Sequence, residues 1–336
     1  MNGVYQSIPV AITVEGANIL TRSLIIFGQG AIRCHKRLLP IIEAANSEGD
    51  ASLAKFDKAI WGWIGDIISK LFRMPIHALT DGFLTRSPRP KTIAKYYRRL
   101  HAASVTFSGV SDIALATMGG DLKRRESISA RLGDCLSELY LAAAALKRFE
   151  DEGMKEADLP LVDYACRGAL YRVQTKIAET LDNLPNRFFA FVLSWLAFPI
   201  GHRRKLPSDK TARACAKLLL SRSEARDRLT TGIHINRKPG DVTGRLEIAL
   251  EAAEVLEAIE AKIRSAKGKT KLAMTEEELA QFARDGIITG ADVQTALRAK
   301  AAIRDAIEVD DFDPSELTRR EATESDVVSR GRAVTG

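Results

Sequence analysis

Cysteine is sparse in this 336-residue chain, and its four copies, Cys34, Cys135, Cys166 and Cys215, lie far apart. No CxxC pair and no Cys/His spacing suits zinc, so neither a disulfide framework nor a structural metal site is expected. The thiols read as reduced and partly buried. Aromatic residues make up only 6%. The alternation of apolar and polar residues that marks strands is almost absent, which argues against a β fold. The longest apolar run, "FFAFVLSWLAFPI" from Phe188 to Ile200, is shorter than the roughly 20 residues a helix needs to cross a bilayer. No signal peptide is visible, and no short-period repeat suggests a solenoid.

What remains is ordinary for a globular protein: 46% hydrophobic and 28% charged residues, with 50 basic against 43 acidic side chains and a net charge of +7. That excess is too mild to argue for a nucleic-acid partner by itself. Ala, Leu, Ile, Arg and Glu dominate, and most of these favour helices. An all-α fold is therefore expected.

Helical spacing recurs along the chain. Apolar positions keep the 3.6-residue period from about Ala17 to Leu39, and "NSEGD" (Asn46 to Asp50) reads as a loop. A helix from about Ser52 is expected to end or kink at Pro75. Another runs from Lys91 to about Met118, where Gly119 and Gly120 stop it. The most regular helix follows, with Ile128, Leu132, Cys135, Leu136, Leu139 and Ala143 on one face and Gly153 at its end. Further helices are expected near 160–181, 209–220 and 244–266. Thr275 with Glu278 forms a capping box opening a terminal hairpin, and Thr289 is a second cap.

One carboxylate stands out. Residues 10–18, "VAITVEGAN", are almost wholly apolar except for Glu15, at a position where desolvation usually penalises a charge. A carboxylate just ahead of a helix interacts well with the helix dipole and needs no catalytic role. A carboxylate in an apolar pocket also has a raised pKa and becomes a stronger base. Both readings fit the local pattern.

The stretch Glu15-Gly16-Ala17-Asn18-Ile19-Leu20-Thr21-Arg22 resembles the active-site turn of the acyl-coenzyme A dehydrogenases, which leads into the last helix of their catalytic bundle. Glu15, Gly16 and Arg22 match; Ala17 stands where threonine is usual, and Ile19 where glutamine or glutamate is common. "EGANILTRSLIIFGQGAIRCH", "GGDLKRRESISARLGDCLSELYLAAAALKR", "SRSEARDRLT" and "VDDFDP" are similar to the bacterial long-chain branch with a C-terminal helical extension. The resemblance implies that Glu15 is the catalytic base that removes the α-proton of a fatty acyl-CoA, with Gly16 and Arg22 beside substrate or cofactor. The cofactor it implies is FAD, with an electron-transfer flavoprotein as acceptor and trans-2-enoyl-CoA as product in fatty acid β-oxidation. The glutamate's own N–H would help polarise the thioester carbonyl.

The same resemblance implies a division into 1–46, the end of the catalytic helical domain; 47–267, a helical extension; 268–316, a terminal hairpin; and 317–336, a disordered tail. No β domain able to hold a flavin is evident, so the chain reads as the C-terminal portion of such an enzyme. The N-terminal and middle dehydrogenase domains become partners, and the chain alone is expected to be inactive and flavin-free. A homo-oligomer is expected of the complete enzyme, in the cytoplasm or peripheral at the inner membrane. The alternative is a non-catalytic helical module that docks to a membrane or a partner.

Two basic stretches remain. Arg86 to His101 holds six Lys or Arg and no acid. It could meet coenzyme A phosphates, an anionic membrane, or nucleic acid with Tyr96 and Tyr97 stacking, or be a solvated helix face; nucleic acid is the reading set aside. His202 to Lys205, "HRRK", follows the aromatic block at 188–198. That pairing suits either a membrane interface or a buried helix beside a loop. His77, His101, His202 and His234 read as surface or capping residues.

Overall fold

The computed structural model describes residues 29–30, 33, 35–86, 91–238, 241–268 and 274–308. Glu15, Gly16 and Arg22, and the tail expected at 317–336, lie outside the described residues. Among the described residues every regular element is helical, so the all-α expectation holds.

The elements are α1 (Leu38–Ala45), α2 (Asp50–Thr80), α3 (Lys91–Met118), α4 (Glu126–Asp151), α5 (Leu159–Asp182), α6 (Arg187–Ala197), α7 (Asp209–Leu220), α8 (Glu224–Leu229), α9 (Val242–Lys267), α10 (Glu276–Arg284) and α11 (Gly290–Ile307). They form two compact units, residues 1–217 and 218–336.

The first unit is built on four long helices. α4 and α5 pack side by side, α3 lies against both, and α2 packs on α3 and α6. Its main core joins Met74 of α2, Val110 and Ile113 of α3, Leu132, Cys135 and Leu139 of α4, Val173, Ile177 and Leu181 of α5, and Leu193 of α6. A second cluster gathers Ile93, Tyr96, Leu146, Phe149, Val162 and Cys166. The inward face of α4 therefore runs Ile128, Leu132, Cys135, Leu139, Ala142, Leu146, Phe149, while Leu136 is exposed. α1 is tied to α2 by the Ser52 hydroxyl, which donates to the Ala44 carbonyl at 2.5 Å.

Pro75 does not end α2. The helix continues to Thr80. One missing N–H is tolerated because Met74 and His77, on either side of it, are buried. The stop comes at Asp81, left-handed at φ 51°, where the N–H of Gly82 closes on the His77 carbonyl at 3.0 Å. Gly109 makes the α2–α3 approach possible: a Cβ there would lie 2.6 Å from Met74 Sδ.

The second unit has its own core. Ile259 and Ile263 of α9, Leu279 of α10, and Val293 and Ala296 of α11 pack with Met274 and Ile288. The break placed at 267/268 thus falls inside one packed unit. The expected capping box of Thr275 with Glu278 is present, and the cap expected at Thr289 forms a second box with Asp292. Lys262–Asp292 at 3.2 Å and Lys267–Asp285 at 3.1 Å brace α9 against the hairpin.

Candidate functional site

The part of the fold nearest in sequence to Glu15 is a cluster of polar side chains at the α1–α2–α3 junction. His35 precedes α1. Its Nδ1 accepts from the backbone N–H groups of Arg37 at 3.2 Å and Leu38 at 3.1 Å, serving the open N-terminus of α1. That leaves the ring proton on Nε2, which donates to Oδ1 of Asp112 at 2.9 Å. The other carboxylate oxygen of Asp112 takes the Lys70 ammonium. Asp112 is buried in the middle of α3. Burial pushes its pKa up, but the hydrogen bonds from His35 and Lys70 outweigh that and hold the carboxyl below its ordinary value. Beside it, Asp66 accepts from Arg37 Nε at 3.0 Å and pairs with Lys36 at 3.0 Å.

With both oxygens engaged by His35 and Lys70, Asp112 is held in an ion-pair cluster. Its chemistry is structural: it binds the start of α1, the middle of α2 and the middle of α3 into one body. The sequence carried a signal for it, a lone acid in the apolar run "SGVSDIALATM".

A second cluster lies at the other end of α2. Asp81 accepts from Arg99 Nε at 2.7 Å and Arg204 Nη1 at 2.5 Å. The backbone N–H of Arg204 donates to Gln174 Oε1 at 2.9 Å, and Arg203 Nη1 donates to the Ala78 carbonyl at 3.3 Å. Burial raises the Asp81 pKa, yet the two guanidiniums leave it below the carboxylate range. His77 and His101 pack edge to face, ring centroids 5.2 Å apart. Burial lowers the pKa of both, reinforced by the Arg73 charge. His77 is buried, which corrects the surface or capping reading for that residue, and His101 is half-buried beside it. A cavity of about 70 Å³ lies among His77, Asp81, Thr106, Gln174 and Arg204.

The basic stretches are drawn into these contacts. Tyr96 is buried and its hydroxyl donates to Asp163, so it presents no stacking face. Burial, then the Asp163 carboxylate, pushes the Tyr96 pKa far up. Arg98 lies over the Phe83 ring at 5.1 Å and Arg99 is held by Asp81.

A family model described as acyl-CoA dehydrogenase, C-terminal, bacterial type, matches residues 32–312. The chain belongs to this acyl-CoA dehydrogenase C-terminal family. No solved structure matches it.

For this family domain the question is whether its described residues fit a flavin. They do not. The cavity of about 70 Å³ is far below the roughly 300 Å³ or more of a small-molecule pocket. A surface depression of about 380 Å³ is lined by Asp182, Phe191, Ser194, Trp195, Phe198 and His202, among others. It offers an acid and no Lys or Arg where a pyrophosphate would need cations. Among the described residues no group of three His, Cys, Asp or Glu could hold a metal. The thiols of Cys135 and Cys166 are buried, and burial pushes each up to about 12, which leaves them unreactive.

Proposed function

We propose that this chain is the C-terminal part of an FAD-dependent acyl-CoA dehydrogenase acting on medium- or long-chain fatty acyl-CoA and forming trans-2-enoyl-CoA. The observation that carries this is the family match over residues 32–312, which begins ten residues after Arg22. Glu15 takes the α-proton of the thioester, and its backbone N–H polarises the carbonyl on which enolate charge develops. Gly16 keeps the backbone beside it free of a side chain, and Arg22 serves beside substrate or cofactor. The flavin, and the residues that seat it, belong to the N-terminal and middle dehydrogenase domains, and electrons leave through an electron-transfer flavoprotein. The helices of the first unit serve as the scaffold that follows this stretch in sequence.

The test uses the complete enzyme, this chain joined to its flavin-bearing portion. Anaerobic mixing with acyl-CoA of graded chain length should bleach the flavin's visible absorbance. Glu15→Gln keeps the shape and removes the basicity, so bleaching should slow by about 10²–10⁴-fold. Bleaching at the normal rate would remove Glu15 from the mechanism; no bleaching with any acyl-CoA would remove the reading.

The second reading, a module that docks at the inner membrane from the cytoplasm, is favoured by α6. The aromatic block divides between two faces: Ala190, Leu193 and Ala197 join the core, whereas Phe188, Phe191 and Trp195 are exposed. Exposed aromatics beside Arg187 and Lys205 suit a headgroup region. No helix among the described residues is long and apolar enough to cross a membrane, so the contact would be peripheral.

A further inference from the structure

The surface depression that is unsuited to a pyrophosphate has the chemistry for a ligand of the opposite sign. It is lined from the last turns of α5 and α6 and from the stretch that follows α6. Its volume of about 380 Å³ falls in the range of small-molecule sites. Phe191, Trp195, Phe198 and His202 bring four rings to it, and Asp182 brings a carboxylate. Phe191 and Trp195 are 74% and 63% exposed, so their faces are open to a ligand. Phe198 and His202 are packed edge to face, with centroids 4.6 Å apart. The face of an aromatic ring carries the negative part of its quadrupole and attracts a cation.

Rings alone would also suit an uncharged apolar ligand, so charge decides between the two. Asp182 is the only Asp, Glu, Lys or Arg in the lining. Its carboxylate has no hydrogen-bond or ion-pair partner among the described residues; only its backbone carbonyl is engaged, by Arg187 Nη1 at 2.7 Å. Arg203 and Arg204 adjoin His202 in sequence but are held on α2, Arg203 by the Ala78 carbonyl and Arg204 by Asp81. The helix ends add to the carboxylate. Ala178 and Asp182 belong to the last turns of α5, and Ser194 and Trp195 to the last turn of α6. The C-terminal end of a helix carries negative partial charge and favours a cation.

The balance of rings over hydrogen-bond acceptors narrows the class further. A primary ammonium has three N–H donors to satisfy. Here the side chains offer it one free carboxylate and one hydroxyl, Ser194. A quaternary ammonium has no N–H, and it is the cation that aromatic surfaces recognise.

We propose that this depression binds a small quaternary ammonium ion, with its methyl groups against Phe191, Trp195 and Phe198 and its charge balanced by Asp182. This inference is independent of the proposed reaction.

Titration calorimetry of the full chain with choline reads the outcome. Binding should saturate with a dissociation constant of about 1 mM. The neutral isostere of choline, with carbon in place of nitrogen, has the same shape and should bind at least about 10-fold more weakly. Trp195→Ala should weaken choline binding by about 10-fold. Asp182→Asn should weaken it by about 3-fold and remove most of its salt dependence. Both side chains are exposed, so helical circular dichroism should not change. Tyr140→Ala, which removes an exposed aromatic on α4, should leave binding intact. The proposal is overturned if choline does not saturate the chain below about 50 mM, if the neutral isostere binds as tightly, or if either depression variant keeps the wild-type affinity. Capture by phosphatidylcholine vesicles without binding of free choline would also overturn it, and would return the rings to the membrane reading.

Discussion

Nε2 of His35 lies 2.9 Å from Oδ1 of Asp112, a hydrogen bond between residues 77 positions apart. Its other nitrogen accepts the first free amides of α1, so one ring links a helix start to a buried carboxylate in a different helix. The Lys70 ammonium completes the cluster. Removing the carboxylate leaves a mostly buried ammonium without its counter-charge. Asp112→Ala should therefore cost about 3–5 kcal/mol, read as a fall in the denaturant midpoint.

The same carboxylate sets a pH dependence. Its folded pKa lies below the ordinary carboxylate value. A group depressed on folding contributes stability above its unfolded pKa and loses it as pH falls through the folded one. Stability should decline as pH drops from about 5 toward 2, and part of that decline should be absent in Asp112→Asn. Identical acid limbs in the two proteins would show that Asp112 does not titrate on unfolding.

His77 and His101 act in the neighbouring range. Both pKa values are lowered on folding, first by burial. The unfolded chain then binds more protons, so stability is complete above about 6.5 and falls as pH drops below it. His77→Phe, which fills the buried space without a proton site, should flatten unfolding midpoints measured between pH 7 and 5. An unchanged slope would assign that range to other groups.

Gly109 and Met74 should be strongly coupled. Gly109→Ala pushes a methyl into Met74 Sδ and should cost about 1–3 kcal/mol. Met74→Ala should cost about 2–5 kcal/mol through the cavity it opens. In the double variant the new methyl occupies space the sulfur vacated, so the combined cost should fall clearly below the sum. Simple additivity in a double-mutant cycle would place the two side chains out of contact.

The second unit offers a local test. Thr275→Ala removes the hydroxyl that accepts from the Glu278 N–H at 3.2 Å. The expected loss is about 0.5–2 kcal/mol, and hydrogen exchange should quicken first in the opening turn of α10. Exchange that quickens equally in α3 would show that the cap is not a local feature.

The sequence alone placed several of the helices and their ends. Lys91–Met118 and Asp209–Leu220 are read from period and stop signals, and Thr275 and Thr289 from their capping partners, because these depend on hydrogen bonds within a few residues. The resemblance at Glu15, Gly16 and Arg22 is carried by the residues alone, which lie outside the described residues. Tertiary structure decided the rest. Pro75 stays inside α2 because Met74 and His77 are buried on either side of it, an interaction no local rule contains. The aromatic block at 188–198 is one apolar run in sequence, yet packing of α6 buries Leu193 and leaves Trp195 exposed. Arg204, in sequence one of the basic cluster 202–205, becomes the partner of Asp81, more than a hundred residues upstream. Periodicity shows that a helix has an apolar face; only the packing of the other helices shows whether that face is covered. For α4 it is, and for Trp61 to Leu79 of α2 it is not.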